Sequence, residues 1–315
     1  MVFWPAFGNN LIEFRDLTSD CDVIWKNPRN YPPRAAAHLQ PHANRSEFYD
    51  SFCGGWFLSL PGGFFPGDYF GAPLGVLGEF AVIPWELGEM TVKADEIMVT
   101  FIAEGRRTPF TVRRQVSLAA GSGEARFVTT VSNRSFRRLP VAWLEHLTLG
   151  GPLLEGGRLY LPAAQVRVPP ADRPELSQLV ADSVAPWPFA RKVLGAMRDC
   201  SLVPSRGSDT EHVVMAENFL EGHGCLWNDR LQLGFQLRWD AGFFPLAWLW
   251  AAGNGGSGYP FWGGAHVMAL EPSTSSLRPF PQLVERGEVV WIEPRSEVST
   301  WLTAGFVRQA PREAT

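Results

Sequence analysis

The chain has 315 residues, 45% of them hydrophobic and 19% charged, with 28 Lys and Arg against 32 Asp and Glu for a formal net charge of -4. That balance leaves no basic footprint for nucleic acid and no polybasic patch for a membrane, and the composition is globular rather than disordered or fibrous. The length supports a large core, and β-sandwiches of more than 200 residues fold as one unit, so a single domain over residues 1–315 is expected.

The first ten residues lack the basic and apolar regions of a signal peptide, and no window approaches 18 apolar residues. Cys21, Cys53, Cys200 and Cys225 form no C-x-x-C pair, which removes zinc-ribbon and thioredoxin-like sites. Free thiols in a reducing cytoplasm are the expected setting. His38 and His42 are four apart in a Pro-bounded polar stretch without a carboxylate at ligand spacing, so no metal site is expected there.

Residues 52–88 are rich in Gly and Pro, running from Gly54-Gly55-Trp56 through Leu77-Gly78-Glu79 to Pro84-Trp85. A long irregular stretch inside a compact domain is typically a binding or lid segment. Alternating segments follow, separated by turn residues such as Gly121-Ser122-Gly123. Strands are predicted over Thr91 to Ala103, Phe110 to Ala119, Glu124 to Asn133 and Pro140 to Leu149. Residues 163–198, with five prolines, are expected to cross one face of the sheet and to contain a short helix from Glu175 to Ser183. Strands resume over His212 to Phe219, Leu231 to Trp239, Ala265 to Leu270, Val289 to Glu293 and Val298 to Val307, and the tail over residues 308–315 is expected to fray. Few helical periods and regular strand spacing point to an all-β, antiparallel sandwich. No repeat of 20–50 residues is visible, so propellers and solenoids are excluded. The run Gly253 to Gly258 lacks the Lys-Ser/Thr of a phosphate loop and reads as a mobile connection.

Two positions stand out as candidates for acid–base chemistry. In Pro140 to Leu149, a period of two puts Ala142, Leu144, His146 and Thr148 on one face, where an imidazole among apolar neighbours is disfavoured in its charged form. In Ala265 to Glu271, the carboxyl group closes a face of small apolar residues, and burial raises its pKa towards the range of a general base. The bland alternatives are a core histidine bonded to a neighbour and a strand-end glutamate paired with an arginine. The 13 Trp and 22 Phe fill wide sheets, and indole rings also stack on sugars.

Several motifs resemble those of the aldose 1-epimerase (galactose mutarotase) family. They are Met268-Ala269-Leu270-Glu271-Pro272, Arg286-Gly287-Glu288 before a last strand, Val131-Ser132-Asn133 followed by Trp143-Leu144-Glu145-His146, and the upstream Gly54-Gly55-Trp56, Leu77-Gly78-Glu79 and Pro84-Trp85. The resemblance implies a mutarotase-like supersandwich that binds a sugar, with Glu271 as base and His146 as acid, and with no cofactor or metal. Trp56, Trp85 and Trp262 become the expected stacking wall, and Glu79 a partner for sugar hydroxyls. Leu77 departs from the pattern, because relatives carry a substrate-binding histidine there. That departure keeps open a non-catalytic carbohydrate-binding protein on the same scaffold, and a β-sandwich interaction domain remains a second alternative.

Overall fold

The computed structural model describes residues 1–32, 45–170 and 174–311. His38 and His42 lie outside the described residues, as does the tail beyond position 311.

Two large antiparallel sheets face each other. One has ten strands, in the order Val2–Trp4, Asn10–Glu13, Trp56–Ser59, Leu144–Leu149, His266–Ala269, Leu246–Gly253, Glu211–Phe219, Ala163–Arg167 and Val184–Pro186; the tenth, Glu271–Ser273, pairs with both Leu144–Leu149 and Leu246–Gly253. The other has eight, in the order Arg158–Tyr160, His223–Asn228, Leu233–Trp239, Glu297–Val307, Glu124–Asn133, Phe110–Ala119, Glu96–Glu104 and Glu86–Val92. The expected all-β sandwich is the observed architecture, with short helices at Arg45–Ser51, Pro174–Ser177 and Phe280–Glu285.

The alternating segments form strands because one side meets the other sheet and one side meets water. Phe110–Ala119 and Glu124–Asn133 carry Val112, Val116, Phe127 and Val131 into the core at every second position, with polar neighbours between them. The layers meet at contacts such as Trp56 on Phe127, with ring centroids 4.4 Å apart, and Phe14 on Phe235 at 5.1 Å.

Several expectations change. Residues 163–198 extend the ten-stranded sheet through Ala163–Arg167 and Val184–Pro186 rather than only crossing its face. The strand over Pro140 to Leu149 is two, Leu139–Val141 paired with Val290–Ile292 and Leu144–Leu149 in the ten-stranded sheet. The strand over Thr91 to Ala103 is a hairpin, Glu86–Val92 with Glu96–Glu104, closed where the Lys93 N–H donates to the Glu96 carbonyl at 2.8 Å. The helix expected from Glu175 to Ser183 is one turn, Pro174–Ser177, because Gln178 takes a left-handed φ of 59° and Leu179 bridges to Lys192. The Gly253 to Gly258 run is pinned rather than loose: Asn254 accepts the Gly207 N–H at 2.9 Å and donates to the Gly263 carbonyl at 2.7 Å. Gly255 packs so closely that a Cβ there would lie 2.4 Å from Thr210. Of the tail, Arg308 is held by Asp16 at 2.5 Å.

Candidate functional site

All six residues of Leu144–Leu149 are buried, so the strand is covered on both faces. Its register pairs Leu144 with Ser273 and Thr148 with Ala269, which sets His146 opposite Glu271 on the adjoining strand. Directly opposed residues share a face. On its other side His146 opposes Phe57, and Glu271 opposes Trp248 on Leu246–Gly253. A transverse row therefore reads Phe57, His146, Glu271, Trp248, with two titratable groups between two aromatic rings.

The imidazole stacks on the Phe57 ring at 4.6 Å with 14° between planes, and Phe52 meets it edge-on at 5.6 Å. His146 Nε2 lies 3.8 Å from Glu271 Oε1, too far for a hydrogen bond, so each atom can still engage a third group. Nδ1 finds no partner among the described residues. Burial pushes the His146 pKa down to about 4 and the Glu271 carboxyl well above the usual carboxylate range. At neutral pH the imidazole is uncharged, and burial favours the protonated, neutral form of the Glu271 carboxyl over the carboxylate.

The pair opens into a cavity of about 180 Å³. Phe48, Tyr49 and Phe52, at i, i+1 and i+4 on Arg45–Ser51 and just beyond, form one wall. Trp248 and Trp250, two apart on one strand and hence on one face, form another with Phe261, which stacks on Trp250 at 5.2 Å. Phe64, Phe65, Leu77, Pro169, Leu176, Val213 and Leu277 complete the apolar lining. Glu211 enters from the far side and accepts the Trp250 indole N–H at 3.1 Å. His212 also belongs to the lining, and burial lowers its pKa to about 3.

The fold brings His146 and Glu271 together as the resemblance implied, whereas the other four expected site residues are elsewhere. Trp56 is turned into the inter-sheet core and donates its indole N–H to Glu145 at 2.9 Å; its neighbour Phe57 holds the face beside His146. Trp85 is buried and bonds the Phe80 carbonyl at 3.1 Å. Trp262 is 61% exposed and is not part of the lining. Glu79 is fully buried, accepting the N–H groups of Arg106, Arg107 and Thr108 at 2.9–3.0 Å and the Thr108 hydroxyl, so its carboxylate organises a loop. Sequence reasoning missed the actual walls, although the Trp-x-Trp spacing at positions 248 and 250 signals a shared aromatic face. Among the described residues no group of three or more His, Cys, Asp and Glu is placed to hold a metal ion. The four cysteines are free and buried, and burial raises their thiols, Cys21 to about 11 and Cys53, Cys200 and Cys225 to about 12. No helix among the described residues is long and apolar enough to cross a membrane.

The sequence profile described as "Domain of unknown function (DUF4432)" matches residues 18–305. No curated protein matches the sequence. Solved structures do share the fold. A candidate aldose 1-epimerase from Klebsiella pneumoniae superposes with a TM-score of 0.72 at 15% identity, covering 98% of this chain and 76% of that one. A galactose mutarotase-like protein from Lactobacillus casei gives 0.64 at 13% identity, covering 96% and 95%. Slr1438 from Synechocystis gives 0.67 at 12%, covering 98% and 91%.

Proposed function

The chain belongs to the DUF4432 family, and we propose that it interconverts the anomers of a sugar, with His146 and Glu271 exchanging the two protons of ring opening. The observation that supports this reading most directly is a buried histidine–glutamate pair, 3.8 Å apart and unbonded to each other, at the floor of an aromatic cavity in a mutarotase-like fold. Mutarotation removes the proton from the anomeric hydroxyl and delivers one to the ring oxygen, both attached to one carbon. The C–O bond of the ring then breaks, the aldehyde rotates, and reversal closes the other anomer. No net proton is gained or lost.

One mobile proton suffices for this pair. Burial favours the neutral arrangement, with the proton on Glu271 and the imidazole free. From that state His146 Nε2 accepts the hydroxyl proton while Glu271 protonates the ring oxygen, the reverse of the roles read from the sequence. Ring closure returns both protons, so each group serves as acid and base in turn. Aromatic walls suit the C–H faces of the ring and keep water away from the exchange.

NMR exchange between anomers across a panel of aldoses, comparing wild type with Glu271→Gln, tests the reading. Acceleration should fall about 10²–10⁴-fold in the variant. Sugar binding without acceleration by the wild type on any aldose would make the chain a binding protein instead.

A further inference from the structure

The cavity wall has a chemistry that the acid–base pair does not require. Its described lining is dominated by carbon, from Phe64, Phe65, Leu77, Trp248, Leu277 and their neighbours. A hydroxyl pressed against such a surface loses its water without gaining a partner, which disfavours binding. A methyl group gains in the same place.

Leu77 makes this a built feature. It is fully buried in the wall with a φ of 62°, a left-handed conformation that a bulky side chain rarely adopts. The turn holding it is fixed on its far side. Gly78 follows with a φ of 74° and lies so near Leu60 that a Cβ would come within 2.1 Å of its carbonyl oxygen. Glu79 is then anchored by three backbone N–H groups of residues 106–108. Strain of this kind persists where the surroundings over-determine it, and it clusters at ligand sites.

We propose that the sugar taken by this cavity carries a methyl group where common hexoses carry a hydroxyl or hydroxymethyl group, as 6-deoxy sugars do, and that Leu77 selects it. The inference rests on the sugar-site reading above and names its ligand class.

The test compares matched pairs by calorimetry and by anomer exchange: D-galactose with D-fucose, D-glucose with 6-deoxy-D-glucose, and L-mannose with L-rhamnose. In at least one pair the deoxy sugar should bind at least about fivefold more tightly, since leaving the 6-hydroxyl buried without a partner costs ~1 kcal/mol or more. Leu77→Asn keeps the side chain's size, tolerates the left-handed backbone and offers an amide, so it should erase or invert that preference. Equal or tighter binding of the hydroxylated sugar in every pair overturns the inference, and this wild-type result stands whether or not the variant folds. An unchanged preference in a folded Leu77→Asn protein removes Leu77 from the role. Deoxy-sugar selectivity without anomer exchange keeps this inference and sinks the epimerase reading, whereas fast exchange that favours hydroxylated sugars does the reverse. Binding of none of the six sinks both.

Discussion

The two faces of Leu144–Leu149 present adjacent buried titratable residues in opposite circumstances. Glu145 points into the inter-sheet core, where Arg114 of the facing sheet pairs with it at 2.5 Å and the indoles of Trp56 and Trp143 donate at 2.9 and 3.2 Å. Arg114 is itself tied to Thr129 at 3.0 Å. On the other face His146 and Glu271 are as deeply buried but stand 3.8 Å apart, with His146 Nδ1 unpartnered among the described residues. Burial with every valence satisfied makes a clamp between layers. Burial with valences left open shifts proton affinities and leaves atoms available to a ligand. Sequence position separates the two cases by one residue.

That contrast breaks most visibly under substitution. Glu271→Gln should lower the acceleration of anomer exchange by about 10²–10⁴-fold while leaving resistance to denaturant at pH 8 equal to or above wild type, since it removes a carboxyl group buried without a cation. Glu145→Leu should do the opposite in kind. It strands the Arg114 charge and two indole N–H groups in the core, and one-sided removal of a buried pair costs about 3–5 kcal/mol. Urea unfolding measures this directly. The double replacement Arg114→Met with Glu145→Leu should recover much of the loss, because a buried pair contributes little over well-packed carbon. A double variant no more stable than Glu145→Leu would mean that the clamp is more than a pair.

A second expectation concerns pH, and the two open-face groups carry opposite signs. His146 titrates near 6.5 when unfolded and near 4 when folded, so its stabilising contribution is full above 6.5 and is lost as pH falls towards 4. The span corresponds to about 3 kcal/mol. Glu271 is raised by burial, so its contribution is full below about 4.5 and is lost as pH rises through its folded value. His146→Gln should flatten the acid side of a stability–pH curve by roughly that 3 kcal/mol, and Glu271→Gln should remove the decline that begins as pH rises above about 4.5. His212, held at about 3, titrates over part of the same acid range and leaves a residual slope in the His146 variant. An acid limb unchanged by His146→Gln would contradict the burial assigned to it.

The sheet was legible in the sequence from alternation, whereas the pairing of His146 with Glu271 came from the resemblance to epimerase motifs. Alternation is a local signal, and it fixed Phe110–Ala119 and Glu124–Asn133 to the residue and set His146 on the face away from Glu145. The walls were barely legible, with only the Trp248-x-Trp250 spacing to hint at one of them. Leu246–Gly253 is buried throughout and reads as an unbroken apolar run, with no period to declare a strand. Phe48, Phe52 and Phe261 reach the site through connections far apart in the chain, which no spacing records. Glu79 and Trp56 look alike in sequence whether they face a ligand or bond the protein's own N–H groups and carboxylates, and here they do the latter. Leu77 departs from the epimerase pattern, and its place in the cavity wall gives that departure a physical location.

The smallest expected effect separates aromatic residues by place rather than by type. Trp262 is 61% exposed with a φ of 52° and contributes nothing to the described cavity lining, whereas Trp248 stands in the transverse row beside Glu271. Trp262→Ala should therefore change stability by no more than about 0.5 kcal/mol, as surface replacements do, and leave sugar affinity at the wild-type value in a calorimetric titration. Trp248→Leu keeps an apolar side chain but loses the flat face, so affinity should weaken by about tenfold, the worth of one aromatic contact at ~1.4 kcal/mol. Should Trp262→Ala be the variant that loses affinity, the ligand would have to sit over the loop of residues 259–263, and the open face beside His146 would serve the fold alone.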